Sequence, residues 1–99
     1  MQQREILILN KNVDYHKLLK KGFNPRVGEE NILAKECFTA FGCIDYMMII
    51  DYETKDIFIS LCKKGAPYYT YPLNTESYEF HKFKKYIPKR FLENVGSQQ

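Results

Sequence analysis

Residues 43–62 read CIDYMMIIDYETKDIFISLC, two apolar runs on either side of a polar turn. This is the pattern of a β-hairpin, and it holds more apolar side chain than two strands can hide alone. With the turn centred on Thr54 and Lys55, Tyr52 faces Ile57, Ile50 faces Ile59, Met48 faces Leu61 and Tyr46 faces Lys63, which gives one nearly continuous apolar face. The other face sets Asp51 against Phe58, Ile49 against Ser60, Met47 against Cys62 and Asp45 against Lys64. A slip of one residue would bring Ile57, Ile59 and Leu61 onto the face of Asp51 and Asp45, so the pattern decides which side chains turn inward. Thr54-Lys55 lacks the Gly or Asn of a two-residue type I′ loop, so a four-residue loop from Glu53 to Asp56 on a type I turn is expected.

Working outward, Arg4 to Asn10 (REILILN) reads as a short strand beside the hairpin. Asp14 can cap a two-turn helix that points Leu18 and Leu19 inward and ends at Gly22. Asn24-Pro25-Arg26-Val27-Gly28 reads as punctuation. From Glu29 to Phe41 the recurrence of Leu33, Cys37 and Phe41, with acids in the first turn and Gly42 after the end, predicts a second helix packed on the sheet through that stripe. Beyond the hairpin, Tyr68-Tyr69-Thr70-Tyr71 lies between Pro67 and Pro72 and reads as an edge strand. Asn74 or Thr75 can cap a third helix with Phe80, Phe83 and Ile87 inward, stopped by Pro88. The expectation is an α+β fold: a small antiparallel or mixed sheet of three to four strands, with two to three helices packed mainly on one face. Residues 1–96 are expected to form a single domain and 97–99 a frayed tail.

Ninety-nine residues suffice for one modest core, and a formal net charge of +3 implies no whole-chain attraction to nucleic acid. The longest uninterrupted apolar run, Tyr46 to Ile50, falls far short of the roughly 20 residues of a membrane span. The start, MQQREILIL, has no basic region leading into a long apolar stretch. The three cysteines, Cys37, Cys43 and Cys62, are odd in number, form no CxxC and sit beside apolar neighbours. A cytoplasmic, reducing location is therefore expected, with no membrane partner. The Lys, Ile, Asn and Tyr bias is also what an AT-rich genome produces, many phages and mobile elements among them.

Chemistry-bearing patterns are sparse. Cys37, Cys43, Cys62, His16 and His81 include no pair at the short spacings of a zinc site, so neither metal nor cofactor is expected. Glu53-Thr54-Lys55 resembles the Glu-x-Lys half of a nuclease motif in which two acids hold Mg²⁺ and the lysine positions water. It departs from that family in lying at a turn with no Pro-Asp before it, and a solvated turn is the reading that follows. His81, Lys82, Lys85 and Arg90 could supply the base, acid and cation of a metal-independent ribonuclease, although a histidine between acid and lysine is more often a surface residue.

Two surfaces stand above this background. Phe80 to Phe91 carries Lys82, Lys84, Lys85, Lys89 and Arg90 with no acid, a basic helix that offers nucleic-acid contact through Lys82, Lys85, Lys89 and Arg90. Lys63, Lys64, Tyr68, Tyr69 and Tyr71 form a second patch, basic and aromatic, on the expected edge strand. Tyrosine rings are good interface anchors, and eight of them in a chain without a catalytic cluster favour a binder over an enzyme. The expected function is that of a small non-enzymatic protein-binding or accessory module, its partner a foreign protein or a second copy. Nucleic-acid binding through the basic C-terminal helix and exposed tyrosines is the alternative, and a metal-independent ribonuclease the second.

Overall fold

The computed structural model describes residues 4–77 and 79–98. Among these residues β-strands dominate. Five strands form an antiparallel meander in the order β2-β3-β4-β5-β6: β2 Asn24–Arg26, β3 Glu29–Ala40, β4 Ile44–Asp51, β5 Ile57–Lys63 and β6 Ala66–Pro72. A second, two-stranded antiparallel ribbon pairs β1 Arg4–Leu9 with β7 Leu92–Gln98. The α-helices are α1 Tyr15–Lys20 and α2 Phe80–Phe83, and Lys89–Phe91 forms a 3-10 turn. The expected α+β fold is thus corrected to a mostly β fold. Of the expected tail, Gln99 lies outside the described residues.

The β4-β5 hairpin forms, but with Ile50 opposite Ile57, Met48 opposite Ile59 and Tyr46 opposite Leu61. This register differs by two residues from the expected one. Two is the repeat of a strand, so the same side chains still point inward, and Tyr46, Met48, Ile50, Ile57 and Ile59 are buried. The loop runs from Tyr52 to Lys55. The Lys55 N–H donates to the Asp51 carbonyl, and Asp51 Oδ1 accepts from the N–H groups of Glu53 and Thr54, so the aspartate side chain organises the turn.

The largest correction is at Glu29–Phe41, which is strand β3 rather than a helix. β3 pairs with β4 from Ile32 opposite Asp51 to Ala40 opposite Ile44, and with β2 on its other side. Two features disguise its alternation. A bulge between Glu36 and Phe38 shifts the parity at Cys37, and Lys35 occupies an inward-facing position. The Lys35 ammonium reaches the end of α1, where it donates to the Lys21 carbonyl and lies over the rings of Phe23 and Tyr86. Gly42 does not end a helix. Phe41 and Gly42 take φ of 55° and 78°, the pair of positive values a primed hairpin turn requires, and Phe41 is 77% exposed.

The remaining elements close over the inner face. Asp14 caps α1 by accepting from the Lys17 N–H at 3.0 Å. Leu18 is buried, as expected, whereas Leu19 faces solvent. β1 joins the two sheets: Leu7 N–H donates to the Leu73 carbonyl, Leu9 N–H to Lys55, and the Glu5 carbonyl accepts from Thr75. The expected third helix shrinks to α2, yet Phe83 and Ile87 are buried in one core with Leu7, Leu9, Leu18, Phe23, Leu33 and Phe91. No helix among the described residues is long and apolar enough to cross a membrane.

Candidate functional site

Among the described residues, strand β6 is an edge of the five-stranded sheet and pairs with β5 alone. A two-residue turn, Lys64-Gly65, leads into it, both residues at positive φ, so Lys64 is held at the hairpin tip and exposed. A bulge follows at Pro67 and Tyr68. Beyond it Tyr69 stands opposite Leu61, Thr70 opposite Ser60 and Tyr71 opposite Ile59. The Leu73 N–H bonds to the Ile57 carbonyl. By the alternation of an antiparallel ladder, Tyr69 and Tyr71 then aim their backbone groups at β5, and Thr70 and Pro72 aim theirs outward. Pro72 thus sits where no ladder donor is needed, which is where an edge strand tolerates proline.

Tyr68 and Tyr69 are 58% and 56% exposed. Tyr69 and Tyr71 share the inner face of the sheet, with ring centroids 5.7 Å apart, and form one wall of a groove of about 330 Å³. Its other lining residues include Tyr46, Asn74, Glu76, Ser77 and Glu79. Among the described residues, two carboxylates and three phenols thus meet in a groove whose lining includes no lysine or arginine. Tyr71 donates its hydroxyl hydrogen to Glu79 Oε1 at 2.7 Å. Burial, then this bond to the carboxylate, holds the Tyr71 phenol well above the usual tyrosine range, so it stays protonated and acts as a donor. Asn74 shapes the floor, accepting from the Glu76 N–H at 3.0 Å and donating to the Pro72 carbonyl at 2.9 Å.

Of the expected binding residues, Lys63, Lys64, Tyr68, Tyr69 and Tyr71 are therefore brought together along one edge. Glu76, Glu79 and Tyr46 were not expected there. In sequence Glu76 and Glu79 lie just after Asn74 and Thr75, the expected cap of a third helix, and only the return of the chain past Pro72 carries them beside Tyr71. The basic C-terminal residues are dispersed by comparison. Lys82 lies on α2 with its ammonium 5.3 Å from the Phe38 ring centroid, and Lys85 follows, 5.9 Å from that of Tyr86. Lys89 borders a mostly apolar cavity with Leu7, Phe80, Ile87 and Leu92, whereas Arg90 shares a small polar hollow with Asn10, Asn12 and Lys17. They do not lie along one helix, because Phe80–Phe91 is broken into α2, a turn and the 3-10 segment.

The cysteines are free thiols in three settings. Cys62 is buried with its sulfur 3.7 Å from Met47 Sδ, Cys43 is exposed, and Cys37 is half-buried. Burial pushes the Cys37 thiol up to about 11, which leaves it a poor nucleophile near neutral pH. No group of three or more His, Cys, Asp or Glu among the described residues is placed to hold a metal ion. His81 is exposed on α2.

Comparison with protein families, with curated proteins and with solved structures returns no match.

Proposed function

We propose that this chain is a small, non-catalytic protein-binding module of the cytoplasm that contacts its partner through β6 and the turn before it, Lys63 to Tyr71. One observation carries the reading: a sheet edge bracketed by Pro67 and Pro72 that holds Tyr68 and Tyr69 more than half exposed. Tyrosine covers a large contact area while losing only two side-chain torsions, so such rings anchor a partner at small entropic cost. The prolines limit backbone pairing along the edge, so side chains carry the contact. The three free thiols fit a reducing compartment.

A second reading, nucleic-acid contact, draws on the hollow where Arg90 meets Lys17, Asn10 and Asn12, a cationic site on two elements that the sequence separates widely. Affinity capture from the source cell, with and without nuclease, decides between the two. The expected result is a stoichiometric protein that survives nuclease and is lost with Tyr69→Ala. A partner that disappears with nuclease and is indifferent to Tyr69→Ala would transfer the assignment to the Lys17 and Arg90 face.

A further inference from the structure

We propose that the Tyr46, Tyr69, Tyr71, Glu76 and Glu79 groove receives the Lys63-Lys64 turn of a second copy of this chain, in a two-fold pairing of β6 against β6 centred on Thr70. The inference rests on the assignment of β6 as the binding surface and adds who the partner is. Thr70 is the outward-aimed residue at the middle of the edge, so two antiparallel copies can exchange N–H to carbonyl bonds there. Lys64 lies in the turn that leads into β6, and Glu76 lies past the other end of the strand. Antiparallel pairing about Thr70 therefore brings the Lys64 end of one copy to the Glu76 end of the other, twice.

The faces agree as well. A two-fold axis perpendicular to the paired edges keeps the inner faces of both sheets on one side. Lys63 lies on that side, since it continues the inward parity of Ile57, Ile59 and Leu61, and so does the Tyr69 and Tyr71 wall. An ammonium entering there meets the faces or edges of tyrosine rings and two carboxylates, a setting that favours a cation twice over. Net charge +3 makes two copies repel at long range, so the contact depends on this local match. Pro67 and Pro72 stop the backbone ladder from extending past the centre, which keeps the pairing to two copies and makes it sensitive to salt.

Sedimentation velocity on the full chain tests this with exposed substitutions, folding being checked by circular dichroism. The wild type is expected to dimerise reversibly, more weakly as salt rises. Lys64→Glu and Glu76→Lys should each weaken self-association by about tenfold or more. The two single variants should associate with each other when mixed, because both contacts of the mixed dimer then join opposite charges. The double variant K64E/E76K should likewise recover pairing. A wild type that stays monomeric to about 1 mM, or a dimer indifferent to both charge reversals, overturns the proposal. If the wild type is monomeric but Tyr69→Ala still abolishes capture of a foreign protein, the self-pairing falls while the β6 binding surface stands. If a dimer forms and neither Tyr69→Ala nor the charge reversals affect dimer or capture, both fall.

Discussion

Leu33→Ala is expected to destabilise the protein by about 2–5 kcal/mol in chemical denaturation, while Phe41→Ala costs less than about 0.5 kcal/mol. Leu33 is fully buried on the inner face of β3, opposite Ile50 on one side and Pro25 on the other, so its truncation opens a cavity at the centre of the sheet. Phe41 sits at the tip of the β3-β4 turn, 77% exposed, and its ring has little packing to lose. A helix over the same residues would bury Phe41 on the stripe of Leu33 and Cys37 and make its loss cost about 3–5 kcal/mol. The pair of variants therefore separates strand from helix without any structural probe. Against a total stability of about 5–15 kcal/mol, the Leu33 variant loses a large part of the folding free energy.

Phe83→Ala should be as damaging, about 3–5 kcal/mol, for a different reason. Helix α2 has four residues and cannot be stable by itself. The segment is held by Phe83, whose ring is 5.3 Å from Phe38 and 6.3 Å from Tyr46, centroid to centroid, and by buried Ile87. Phe38 and Tyr46 stack at 4.6 Å across β3 and β4, so Phe83 ties the C-terminal part of the chain to the middle of the sheet. Lys82→Ala, one residue away and exposed, is expected to change stability by less than about 0.5 kcal/mol. Equal effects of the two in urea or thermal melts would mean that Phe83 does not anchor the segment.

The β4-β5 hairpin was legible because its strands alternate and because an error of two residues in register leaves every side chain on its own face. β3 was not. Leu33, Cys37 and Phe41 recur at helical spacing, and the parity shift at the Cys37 bulge together with inward Lys35 erases the period of two. Its pairing to β2 and β4 on both sides then outweighs local propensity. The Phe41-Gly42 turn was the available signal, since a glycine between two apolar runs suits a hairpin as well as a helix end. Of the expected inward stripe Phe80, Phe83 and Ile87, the last two are buried and Phe80 is half-buried although little of the segment is helical, because burial follows the apolar residues more closely than the backbone shape does.

At the surface, the aromatic edge was visible from Pro67 and Pro72, which mark a strand that cannot be central. The acidic side of the groove was not, because the Tyr71 to Glu79 bond depends on how the chain turns after Leu73. The basic residues from Lys82 to Arg90 form a run in sequence and several separate sites in space, since the breaks after Phe83 and at Pro88 send Lys89 and Arg90 to different hollows. Lysines lying over Phe38, Phe80 and Tyr86 also show that part of this charge covers half-buried aromatic rings.

Amide hydrogen exchange followed by NMR tests directly whether β6 is an open edge. In dilute protein, below any concentration at which copies pair, the Tyr69 and Tyr71 amides face β5 and are expected to be protected, while the Thr70 amide between them faces solvent and exchanges far faster. Raising the concentration, or adding the captured partner, should then protect Thr70. A Thr70 amide already as protected as those of Tyr69 and Tyr71 in the dilute protein would show that the edge is covered and would contradict the account.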